Sequence, residues 1–171
     1  VAQRSIAVSI GRVREFLEAH PDKGLTADVP ATATIEDGLR VRVVGPTGQV
    51  LHSDMPSAVG GAGSALSPGW LLRAAHAACD ATVIAMRAAE EGVQLTALEV
   101  EVGSDSDDRG LVGAGDDVPA GPLRTAVRIR IAADGVDLDR LHSIIDWARE
   151  HSPVDDALRR SVPIDVTIEA G

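Results

Sequence analysis

Ile6, Ile10, Val13, Phe16 and Leu17 recur at helical spacing with Arg12, Arg14, Glu15 and Glu18 among them, which predicts an amphipathic helix ending near His20-Pro21. Such a helix has to dock its apolar face on something. From about Ala31 the period shortens to two: Leu39, Val41 and Val43 alternate with Arg40 and Arg42, and Gly45-Pro46-Thr47-Gly48 then turns the chain into 49–53. This reads as a hairpin with one wet face. A small-residue loop over 57–64 leads to Ser67-Pro68, an N-cap followed by proline at the first helical position. The helix that follows, from Pro68 to about Glu91, carries few charges in its first five turns and is expected to be buried on most sides, with Gly92 stopping it.

Alternation returns over 95–102 and again over 123–131, separated by the acidic, Gly- and Pro-rich stretch 103–122, which reads as a long loop and the segment most prone to disorder. Leu138, Leu141, Ile144, Ile145 and Ala148 give a further amphipathic helix, Pro153 is expected to break it, and 162–168 is expected to close the chain as a strand. Strands that precede, separate and follow two main helices, with hairpins among them, indicate an α+β fold and not a doubly wound parallel sheet.

Composition narrows the possible partners. The chain has 171 residues, 44% of them hydrophobic, enough for one domain with a full core, but no tyrosine and only Phe16, Trp70 and Trp147 as aromatics, so aliphatic side chains must fill it. A formal charge of -10, with no basic run and no aromatic platform, argues against nucleic acid and anionic membranes as partners. A single cysteine excludes an intrachain disulfide framework and a multi-cysteine zinc site, so a reduced, cytoplasmic setting is the simplest expectation. No apolar run approaches the ~20 residues of a membrane span, and charges throughout the first twenty residues are unlike a signal peptide.

The run Gly60-Gly61-Ala62-Gly63, Ser67-Pro68, Leu71-Leu72, Ala74-Ala75-His76-Ala77-Ala78-Cys79, Gly92 and Leu98-Glu99-Val100-Glu101-Val102 resembles the OsmC/Ohr family, the osmotically inducible and organic hydroperoxide resistance proteins. The resemblance implies a single OsmC-like domain, with 28–171 as its core and 1–24 as a helical extension. It also implies an intertwined α+β homodimer, with two long central helices packed between antiparallel sheets. In members that act as thiol peroxidases in the oxidative stress response, the cysteine at the position of Cys79 attacks the hydroperoxide, a second cysteine resolves the product, and an arginine and a glutamate assist.

This chain departs from that pattern at three points. Pro68 is followed by Gly69 and Trp70 in place of an acidic residue, so an organising ion pair is lost. The family's Cys-Pro-Val-Ser reads Ser152-Pro153-Val154-Asp155 here, so the resolving position holds a hydroxyl. The arginine belongs to the N-terminal strand region, where Arg40 and Arg42 are both available.

A thiol peroxidase needs a thiolate, a cation beside it and a route for removing the sulfenic acid. Cys79 supplies the sulfur; His76, three residues earlier on the same helical face, is a further candidate for stabilising it, while the adjacent Asp80 opposes a thiolate. If the cysteine is catalytic, an external dithiol must reduce it and the substrate is a small apolar hydroperoxide. The alternatives are that Cys79 merely packs against Leu72, Val83 and Met86, in a small-molecule-binding protein that has lost its redox machinery, or that the domain is purely structural.

Other constellations are weaker. The Gly60–Gly63 loop lacks the Lys-Ser/Thr ending of a phosphate loop. Asp105, Asp107, Gly110 and Asp116 match several calcium-loop positions, but Arg109 stands at a ligand position and strands flank the loop. His142, Asp146 and His151 lack a convincing further ligand, and Ser152 beside His151 and Asp155 lacks a nucleophile elbow. The sequence therefore leads us to expect no metal and no cofactor.

Overall fold

The computed structural model describes residues 2–171, with side chains from Arg4 onward. Five helices, α1 (Ala2–Ala19), α2 (Pro68–Glu90), α3 (Asp108–Val112), α4 (Leu138–Glu150) and α5 (Pro153–Arg159), combine with five strands, β1 (Thr32–Asp37), β2 (Arg40–Val44), β3 (Val50–Ser53), β4 (Leu95–Asp105) and β5 (Arg124–Ala133). The expected α+β class is observed. The chain forms two compact units, one made of the chain up to Val8 with 76–102 and 126–171, the other of 9–75 and 103–125.

The first unit holds the aliphatic core. Ile84 and Ile144 are fully buried, with Val83, Ala88, Val93, Leu141 and Ala148 around them, and Cys79, Leu98, Val100, Ile129 and Ile131 pack against this cluster. Alanines on both α2 and α4 keep it thin, as the shortage of aromatics requires. In the β4–β5 pair the cross-strand contacts Arg128–Glu101 and Arg130–Glu99 step in opposite directions along the two strands, an antiparallel register. These charges line the wet face, while Leu98, Val100, Ile129 and Ile131 turn toward the core, the period-2 pattern read from sequence. Gly92, at φ 68°, ends α2: Val93 N–H donates to Ala88 C=O at 2.8 Å and Gly92 N–H to Ala89 C=O at 3.1 Å.

The second unit is built on the antiparallel meander β1–β2–β3, with Val41 opposite Ile35 and Ser53. Beyond β3 the chain makes a single parallel bridge between Ser53 and Leu66 and enters α2, where the Ser67 hydroxyl accepts from Trp70 N–H at 3.3 Å.

The helix α4 ends before Pro153 as expected, and Pro153 also opens α5, because Ser152 caps it and a proline at the first helical position lacks only an N–H the helix does not use. Three expectations need correction. The stretch 162–168 is not a strand; its Val162, Ile164, Val166 and Ile168 are exposed and no described strand lies beside it. The 103–122 stretch is not a plain loop, since β4 runs on to Asp105 and α3 follows, capped by the Asp107 side chain. Finally, α2 is not buried on most sides: His76, Asp80, Val83, Ile84, Ala88 and Ala89 are buried, whereas Leu72, Ala75, Ala78, Thr82 and Met86 form an exposed stripe.

Candidate functional site

Helical spacing places His76, Cys79 and Asp80 on one side of α2, and the start of α5 brings Ser152 and Asp155 to them. Cys79 is half-buried and lies against the aliphatic cluster. The Ser152 hydroxyl, fully buried, donates to Cys79 Sγ at 3.3 Å and accepts from Asp155 N–H at 3.4 Å. One hydroxyl thus caps a helix and faces the sulfur. Of the residues expected to pack on Cys79, Val83 belongs to the cluster around it, but Leu72 and Met86 are exposed.

His76 does not engage the sulfur by any hydrogen bond. Its Nε2 lies 3.4 Å from Asp80 Oδ2 and 3.5 Å from Asp155 Oδ1, and all three side chains are at least nine-tenths buried. Asp155 Oδ2 faces away toward Arg159 Nε at 3.4 Å and Arg149 Nε at 3.7 Å. Both ring nitrogens of His76, both oxygens of Asp80 and Asp155 Oδ2 lack hydrogen-bond partners among the described residues. Sequence reading noted each of these residues separately and missed the cluster. The His76/Asp80 spacing of four was its only local signal, since Asp155 comes from a distant helix.

The two arginines lie in the second unit. Arg40 donates to the Ser64 hydroxyl at 2.7 Å and approaches Glu36 at 3.3 Å, while Arg42 is exposed. Ser64 in turn donates through its N–H and hydroxyl to Asp54, at 2.9 and 2.8 Å, and Met55 N–H donates to the same carboxylate at 2.8 Å. These donors, the Ser64 N–H foremost, hold the Asp54 carboxyl below its ordinary value of 3.8. Asp54, absent from the sequence reading, therefore fixes the glycine-rich loop, and Arg40 is tied to that loop through Ser64. Beside the loop, Met55, Val59, Pro68, Gly69 and Leu111 help line a cleft of about 420 Å³ within this unit. Cys79 is not among its walls.

The rejected constellations have local explanations. His151 stacks on Trp147 at 3.8 Å and its Nδ1 lies 2.7 Å from Trp147 C=O, so it makes no relay with Ser152. In the acidic stretch Asp107 is paired with Arg109, which lowers the carboxyl and raises the guanidinium from their ordinary values. Among the described residues no helix is long and apolar enough to cross a membrane.

Solved structures with the same fold include an organic hydroperoxide resistance protein OsmC, described as a predicted redox protein, from Legionella pneumophila, at 21% identity and TM-score 0.57 over 78% of this chain and 92% of that one. An OsmC-like protein from Mycoplasma pneumoniae aligns at 14% identity and TM-score 0.67 over 80% and 91%. The organic hydroperoxide resistance protein OhrB of Bacillus subtilis aligns at 21% identity and TM-score 0.51 over 79% and 94%. No curated protein matches the chain. The family model for OsmC-like proteins matches residues 61–167, which take in α2, Cys79, Ser152 and Asp155, and the chain belongs to that family.

Proposed function

We infer that this protein is a homodimeric, single-cysteine thiol peroxidase that reduces small organic hydroperoxides. The supporting observation is the Cys79 sulfur, half-buried against an aliphatic cluster with one hydroxyl donor, Ser152, at 3.3 Å. Apolar walls suit an alkyl hydroperoxide. Structural neighbours bearing the name organic hydroperoxide resistance protein point to the same substrate class.

In the proposed reaction the Cys79 thiolate attacks the distal peroxide oxygen, the O–O bond breaks, and the departing alkoxide takes a proton to leave as the alcohol. The sulfenic acid left on Cys79 is then reduced by an external dithiol, which becomes a disulfide as water is released. No second cysteine exists to do this within the chain. Arg40 or Arg42, contributed within the dimer, is the proposed cation beside the sulfur.

The second reading, a pocket protein without turnover, is favoured by one observation: Arg40 already has Glu36 and Ser64 as partners. Hydroperoxide consumption with a dithiol donor, compared between wild type and Cys79→Ser, separates the two. Turnover confined to the wild type is expected; equal rates would remove the peroxidase.

A further inference from the structure

We propose that His76, Asp80 and Asp155 form a site for one divalent transition-metal ion of the zinc type. Three potential ligand atoms, one from each residue, lie within 4.8 Å of one another, and all three residues are buried. An ion ~2.1 Å from each donor in a tetrahedral array would set the donors about 3.4 Å apart. Two of the three separations, 3.4 Å from His76 Nε2 to Asp80 Oδ2 and 3.5 Å to Asp155 Oδ1, match that edge, and the carboxylate-to-carboxylate separation is within 4.8 Å.

The orphaned atoms point the same way. A buried carboxylate with no donor at either oxygen, as at Asp80, is costly unless a cation faces it. Arg159 and Arg149 approach Oδ2 of Asp155, which holds the carboxylate by its outer oxygen and presents Oδ1 inward. Outer partners of this kind orient a metal ligand. Two carboxylates and a neutral imidazole around a divalent ion leave that group of four with no net charge. The imidazole nitrogen selects a borderline ion such as Zn2+ over Mg2+ or Ca2+, which prefer oxygen alone. Three protein ligands leave a fourth coordination position. The site does not depend on the peroxidase reading, because the sulfur of Cys79 is not one of the donors.

The test is calorimetric titration of the chelator-treated 171-residue chain with Zn2+. We expect one ion per chain, with Kd of about 1 μM or below. Asp80→Asn, which keeps the side-chain shape, should weaken binding about 100-fold, while Asp156→Asn, on the residue after Asp155, and Cys79→Ser should not change it. Substitution by Co2+ gives a readout on the intact wild type that no variant's folding can confound: intense four- or five-coordinate visible bands without a thiolate charge-transfer band are expected. Absence of tight binding, equal affinity in Asp80→Asn, or the weak spectrum of six-coordinate cobalt would each overturn the proposal.

Discussion

Ser152 carries two roles in one atom, and substitution can separate them. Its hydroxyl accepts from Asp155 N–H as the cap of α5 and donates to Cys79 Sγ. Ser152→Ala should cost about 1 kcal/mol of stability through the lost cap, measured by urea unfolding. It should also slow peroxide turnover by removing the donor on sulfur. Ser152→Cys places a second thiol in the same position, and since Ser152 Oγ is already 3.3 Å from the sulfur, a small shift suffices for bonding. After one equivalent of hydroperoxide this variant should lose both free thiols to an intrachain disulfide, read by thiol titration before and after. Retention of both thiols would show that the two side chains are not mutually accessible during turnover.

At the scale of elements, the loop between β3 and α2 depends on Gly61 and Asp54. A Cβ on Gly61 would stand 1.9 Å from the Met55 carbonyl oxygen, and backbone cannot yield as a flexible side chain does. Gly61→Ala should therefore cost about 2 kcal/mol or more, seen as a lower unfolding midpoint. Asp54 gives the same loop an acid sensitivity of defined sign. Its carboxyl is held below 3.8 in the folded protein, so its contribution is fully present above the unfolded value and is lost as pH falls through the lowered folded value. Melting temperature followed from pH 6 downward should fall more steeply below about pH 4 in the wild type than in Asp54→Asn.

What sequence could and could not say about these elements follows from the range of the interactions. The limits of α2 were legible because its cap and stop are local: Ser67 and Pro68 open it and Gly92 closes it. Ser152-Pro153 carries the same opening signature as Ser67-Pro68, but the sequence shows only the end of α4 there and not the start of α5, because the apolar periodicity of α4 dominates that window. The His76/Asp80/Asp155 cluster was not legible, since it depends on how α5 packs against α2. Asp54 was hidden for a similar reason, as nothing near it in sequence announces that Ser64 will fold back onto its carboxylate.

At the scale of the whole molecule, the apolar surface the chain leaves uncovered argues for a partner of its own kind. Ile164, Val166 and Ile168 are 84%, 77% and 85% exposed, in a segment outside the helices and strands whose apolar positions alternate as a strand's would. The outermost strand β1 is exposed along its full length, Ile35 included, and α2 presents Leu72 and Met86 outward. An unpaired strand-like tail and an open sheet edge on one chain are complementary features, and in a two-fold dimer each copy offers both to the other. Burial of such surface compensates for a core built from alanine and small aliphatic side chains. The protein should therefore sediment as a dimer at micromolar concentration. Ile164→Lys combined with Val166→Lys places two charges on the tail's apolar face without touching the core cluster, and should shift sedimentation to the monomer while far-ultraviolet circular dichroism stays near that of the wild type. If Arg40 or Arg42 reaches Cys79 only within the dimer, the same double variant should also lose hydroperoxide turnover. A monomeric wild type, or a variant that stays dimeric, would remove strand exchange by the tail as the source of assembly.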